Sequence, residues 1–249
     1  MKYDGGVRSP FLLALGCLVI SAPASAFVPP SFVSGCPPGM AQIRGGTYKG
    51  AAIEPFCLEI TEVTVLAYRA CVARGVCPPP STVADWKSGS PDSYLEASLE
   101  CNGNRDDRLD HPANCLEQTV AAKYCASLGR RLPTDRELEW AGQGADAGTL
   151  YPWGNHLLPE ERACWSTSKQ SRKATCPVFA HPGTLSPQGI YGLSGNVFEW
   201  SDPGPGHESG IPFYGGCYLT TDGAQLKHDF FNTFPSNART PAVGFRCAK

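Results

Sequence analysis

The sequence has no run of basic residues, and its 21 Lys and Arg against 23 Asp and Glu leave it weakly acidic. Such a chain offers little to nucleic acid or to an anionic lipid surface. Beyond the first twenty residues no apolar stretch is long enough to span a bilayer, so no integral membrane protein is expected. There is no clustered Cys-x2-Cys or Cys/His pair, which argues against a zinc-binding reading of the cysteines. Internal repeats and low-complexity linkers are also missing, and 249 residues suit one domain with its own core.

What is present begins with a leader. Lys2 and Arg8 precede the apolar run "FLLALGCLVI", and "APASA" ends in small residues at Ala26. Charged start, short apolar centre and small-residue end form a secretory signal. The expected organisation is therefore a signal peptide over 1–26 and a single domain over 27–249, secreted or periplasmic. A lipid anchor on Cys17 is the rival reading. Loss of Lys2, Arg8 and Asp4 with the leader makes the remaining chain one charge more acidic. Twelve cysteines, one of them in the leader, imply a disulfide framework in an exported protein, and the odd remainder leaves one thiol unpaired.

The 27 glycines and 23 prolines are spread over the whole length, which predicts many turns and few long elements. Three helices are legible. "LEQTVAAKYCASLG" places Val120, Ala121, Tyr124, Cys125 and Leu128 on one face and stops at Gly129. "RLPTDRELEWAG" carries a capping box, Thr134 with Glu137, and buries Leu138 and Ala141. "TVLAYRACVARG" has Val65, Tyr68 and Val72 as its apolar stripe. Short strands are expected at Met40 to Thr47, Phe198 to Ser201 and Gly244 to Cys247.

An ordered series of segments carries a family resemblance: "RGGTY", "EITEVTVLAYRACV", "HPANC", "AAKYCASLGRRLPTDRELEWAG", "YPWGN", "YGLSGNVFEW", "YGGCY" and "GFRCAK". From Cys36 to Lys249 the chain resembles the sulfatase-modifying-factor family, whose founding member is formylglycine-generating enzyme. The resemblance implies an α+β fold related to C-type lectins, loop-rich and disulfide-stapled. It also implies a chemistry: copper and dioxygen oxidise a peptide cysteine to formylglycine at two thiolates in a Cys-x4-Cys spacing. Soft thiolates suit monovalent copper.

Here the two thiolate positions fall on Thr220 and Gln225, and no cysteine lies between Cys217 and Cys247. Copper has no seat in that pattern. The family's iron-dependent branch needs three histidines; His111, His156, His181, His207 and His228 are scattered, and that class is excluded. A family calcium is held by backbone oxygens at the positions of Gly195 and Val197 and by the carboxylate of Glu199. Its usual side-chain ligand three residues before Gly195 is Gly192 here, so the segment is open to calcium binding or to a plain turn capped by Glu199. Where a second family calcium would lie, Cys164 and Cys176 suggest a disulfide instead.

The family pattern links Cys125 to Cys247. Closeness along the chain adds Cys71 with Cys77, Cys101 with Cys115, Cys164 with Cys176, and Cys36 with Cys57. Cys217 remains, at the position of a family pocket serine. The leading expectation is a catalytically degenerate module that binds a peptide, protein or small ligand in the family groove. The alternatives are an active formylglycine-generating oxidase or another enzyme using Cys217, which would need a neighbouring base or cation. A structural partner in an envelope complex is a third.

Overall fold

The N-terminal hairpin is split into two layers. In the computed structural model, which describes Met1 and residues 35–86, 89–167, 171–204 and 210–249, β1 (Met40–Ile43) pairs antiparallel with β4 (Phe56–Glu59), Met40 opposite Glu59. Between them β2 (Gly46–Tyr48) and β3 (Ala51–Ile53) form a second ribbon. Its turn, Lys49-Gly50, has positive φ at both residues, the geometry that matches strand twist in a two-residue hairpin. The single strand expected from Met40 to Thr47 is thus broken at Arg44-Gly45. A side chain on Gly45 would meet Ile53 O at 2.5 Å, so only glycine lets the chain step between ribbons there.

The second sheet has the order β7-β6-β5-β8, from β5 (Phe198–Trp200), β6 (Ile211–Tyr214), β7 (Phe231–Phe234) and β8 (Val243–Gly244), with β5 and β8 parallel. The expected strand from Gly244 to Cys247 ends early because the chain crosses to β4. There Glu59 N donates to Cys247 O at 3.0 Å and Cys57 N to Lys249 O at 2.8 Å.

The described residues form four α-helices. In α1 (Val65–Ala73) the Thr64 hydroxyl accepts from Ala67 N, and Cys71 rather than Val72 completes the buried stripe with Val65 and Tyr68. α2 (Pro91–Ser98) buries no residue, which is why apolar periodicity did not announce it; its signal is Ser90 as N-cap before Pro91. In α3 (Gln118–Ser127) Ala121, Tyr124 and Cys125 are buried, whereas Leu128 is the C-cap residue and 40% exposed. The capping box of α4 (Asp135–Gly142) is complete: Glu137 N donates to Thr134 Oγ1 at 3.2 Å and Thr134 N to Glu137 Oε2 at 2.9 Å.

Tyr68, Tyr124, Trp200, Phe213 and Phe245 fill the larger core cluster, and Ile43, Leu58, Trp140 and Ile190 a second. Five disulfides join Cys36–Cys57, Cys71–Cys77, Cys101–Cys115, Cys125–Cys247 and Cys164–Cys176. Residues 2–34, which hold the expected leader and Cys17, lie outside the described residues. Among the described residues no helix is long and apolar enough to cross a membrane.

Candidate functional site

β6 ends in Gly215-Gly216, both at positive φ, and delivers Cys217 into the larger core. A side chain on Gly216 would meet Leu226, Gln225 O at 2.9 Å and Thr220 Oγ1, so the turn closes only around glycine. Cys217 is 4% exposed. Its N–H donates to Thr220 Oγ1 at 3.0 Å, and the same hydroxyl lies 3.8 Å from the Cys217 sulfur. Burial, the largest influence, pushes the Cys217 thiol up, the opposite of what a nucleophile needs. Thr220 is therefore brought to Cys217, while Gln225 sits in a 3-10 turn (Gly223–Leu226) and enters the site through its backbone carbonyl.

The preceding turn, Gly195-Asn196, is a hub. Asn196 has φ 61°, a region that Asn tolerates. Its N–H donates to Cys164 O at 2.7 Å, its Oδ1 accepts from Cys176 N at 2.8 Å, and its carbonyl accepts from Tyr218 N at 2.8 Å. Its Nδ2 donates to Glu62 Oε1 at 3.0 Å. One buried amide thus ties the Cys164–Cys176 loop, the Cys217 turn and the start of α1 together.

Glu199 lies on β5 and is buried with Arg246 in a bidentate pair, Nε to Oε2 and Nη2 to Oε1, both 2.7 Å. Arg246 spends its other donors on Glu59 O and Tyr191 O. Glu62 fills the space beside Gly192: a Cβ built there would lie 2.7 Å from Glu62 Oε1. Its Oε2 has no hydrogen-bond partner among the described residues. Desolvation chiefly, with the Glu199 charge added and Arg246 opposing, pushes the Glu62 carboxyl up to about 7. Glu62 thus feels Arg246 through charge alone, while the guanidinium's side-chain hydrogen bonds go to Glu199. The Glu199 oxygens already face a fixed cation, Arg246. That does not fit a calcium ligand.

The copper ligand set does not fit either. A hydroxyl at Thr220 and an amide carbonyl at Gln225 are hard oxygen donors where a soft metal needs thiolates. Among the described residues the histidines are not gathered: the ring of His111 bonds Thr175 Oγ1 at 2.8 Å and His228 packs on Tyr48, while His207 lies outside the described residues. His181 lines a small cavity with Cys164 and Asn196; burial first, then the Arg172 charge, holds its imidazole below the usual range.

Beside the Cys217 turn an open groove of about 480 Å³ is bordered by Leu99, Glu100, Arg172, Lys173, Tyr218 and Leu219. Leu99 and Leu219 are exposed there. Sequence reasoning missed Glu62, Arg246 and this groove. The first two stood in plain view in "TEVT" and "GFRC", but no spacing tells that residues 184 positions apart meet.

Residues 31–249 match the model of the sulfatase-modifying factor enzyme 1-like domain. Similar proteins include inactive C-alpha-formylglycine-generating enzyme 2 of Mus musculus, 33% identical over 176 residues, 66% of this chain and 57% of that protein. The formylglycine-generating enzyme of Thermomonospora curvata is 30% identical over 198 residues, 66% and 64% of the two chains. The chain spans less than two thirds of the length of these curated relatives. Among solved structures, CarF superposes with a TM-score of 0.65 at 19% identity over 86% of this chain and 98% of that one. Treponema denticola variable protein 1 gives 0.61 at 18% identity over 84% and 94%. The ribbons, helices and long loops have the α+β formylglycine-generating-enzyme fold related to C-type lectins, here stapled by disulfides, and the chain belongs to the sulfatase-modifying factor enzyme family.

Proposed function

We propose that this chain is a catalytically degenerate member of its family, a module that binds a peptide or small ligand in the groove beside Cys217. The observation that carries this reading is the Cys217–Thr220 contact: the one thiol outside a disulfide among the described residues faces a hydroxyl in the core, with its pKa raised by burial. A metal-thiolate centre needs a second soft ligand at that point, and a nucleophile needs a lowered pKa. The groove keeps exposed apolar side chains, Leu99 and Leu219, next to the cations Arg172 and Lys173, a surface suited to an extended segment with apolar and acidic groups. We place the protein outside the cytosol, exported by a leader cleaved near Ala26 with 27–249 as its single domain. The five cross-links support that placement, since they persist in an oxidising compartment. Calcium at Glu199 is not part of this reading, because Arg246 supplies the charge that an ion would bring.

The test is direct. The purified chain, copper and a Cys-x-Pro-x-Arg peptide are incubated in air and the peptide is weighed. No formylglycine above the protein-free control is expected; robust turnover overturns the reading and restores the oxidase.

A further inference from the structure

Among the described residues, Cys164, Cys176 and His181 are a group whose ligand atoms, two sulfurs and an imidazole nitrogen, lie within 4.8 Å of one another. The two sulfurs form a disulfide, and in that state they are poor metal ligands, because the thiolate is the ligand form. We propose that this bridge masks a soft-metal site: when a dithiol reductant opens it, Cys164 Sγ, Cys176 Sγ and the His181 imidazole hold a zinc-class ion.

Two features keep the ligands in place once the bond is open. Asn196 clamps both cysteines through the backbone, its N–H on Cys164 O and its Oδ1 on Cys176 N. These bonds do not depend on the disulfide. The loop after Cys176 is held by its own turns: Ala180 N donates to Pro177 O at 2.9 Å and Thr184 N to His181 O at 3.0 Å. Cys164 and His181 also line a cavity of about 10 Å³ with Ser194, Thr184 and Asn196. That is room for about one water-sized atom beside two of the three ligands, and a tetrahedral Cys2His site leaves one position for such an atom. Arg172 Nη1 stands 3.5 Å from Cys176 Sγ, where a guanidinium stabilises a thiolate and then donates to a metal-bound sulfur.

The chemistry balances. The dithiol gives two electrons and two protons to the sulfur–sulfur bond and leaves as its own cyclic disulfide, while Cys164 and Cys176 become thiols. Binding a divalent ion then releases those two thiol protons to solvent, so the filled site of two thiolates and one neutral imidazole carries no net charge. The site is thus closed to metal in an oxidising compartment and open in a reducing one. It is separate from the Cys217 position, and it stands whether or not the groove binds a ligand.

The experiment titrates cobalt, a spectroscopic substitute for zinc, into the full chain before and after reduction with a phosphine under nitrogen. The phosphine supplies the same two electrons, takes the oxygen of one water and leaves as its oxide, while that water's two protons go to the thiols. The reduced protein is expected to bind one equivalent with thiolate-to-cobalt charge transfer that zinc abolishes; the oxidised protein shows no such band. His181→Ala leaves the bridge intact, so it folds as the parent does, and after reduction it should bind cobalt at least about tenfold more weakly. Cys164→Ser should lose the band. The proposal is overturned if the reduced, still folded chain shows no charge transfer. A band that persists unchanged in both variants assigns the metal to other thiols, Cys217 included, and overturns it too. So does a bridge that opens only when circular dichroism reports unfolding.

Discussion

Glu62→Gln tests the buried charge cluster at its weakest point. In the wild type Glu62 is 1% exposed, one carboxyl oxygen has no hydrogen-bond partner among the described residues, and burial pushes its pKa up from the ordinary 4.5 to about 7. A carboxyl whose folded pKa is raised binds its proton more tightly in the native state. Its stabilising contribution is complete below the unfolded value and is lost as pH rises through the folded one. The window is therefore 4.5 to about 7, and a difference of that size corresponds to about 3 kcal/mol. Glutamine has the shape of the protonated acid and still accepts from Asn196 Nδ2. The variant should match the wild type near about pH 4 and exceed it by about 3 kcal/mol near about pH 8. Urea unfolding followed by tryptophan fluorescence, with the disulfides intact, measures both. The half-buried His111, His181 and His228, lowered chiefly by burial, contribute the opposite slope, stability lost as pH falls, and cancel in the comparison. A variant that is less stable at the higher pH, or that keeps the wild-type slope, would refute the assignment of the proton to Glu62.

Cys217 should account for one thiol per chain on alkylation, slowly in the native protein and fast once it is unfolded, as its burial and raised pKa require; rapid native labelling below neutral pH would instead mark an activated nucleophile. Paired Cys125→Ala and Cys247→Ala substitutions should cost about 5 kcal/mol, because that bridge closes a loop spanning 122 positions. Removing Cys71–Cys77, with a separation of 6, should cost about 2 kcal/mol by the same reasoning, and denaturant midpoints that rank the two the other way would contradict it.

Local signals were readable where one side chain answers another within a turn. Thr134 and Glu137 cap α4 as their three-residue spacing implies, and Gly129 stops α3. These depend only on backbone geometry near in sequence. Leu128 was misplaced by the same periodicity, since a residue at the C-cap no longer follows the helical face. The strand from Met40 broke at Gly45 because the partner ribbon, not propensity, decides where a strand bends. α2 hid because it buries nothing.

By itself the sequence determined that no cysteine lies between Cys217 and Cys247, and that eleven cysteines after the expected leader leave one without a partner. Composition and motif order suffice for that, because the absence of a ligand type does not depend on the fold. Tertiary structure alone decided that Glu62 meets Glu199 and Arg246, residues more than a hundred positions away, and that Asn196 binds three separate loops. It also placed His181 against the Cys164–Cys176 bridge. Each depends on long-range closure of loops, where burial and the need to satisfy every buried polar group choose partners that no local spacing encodes.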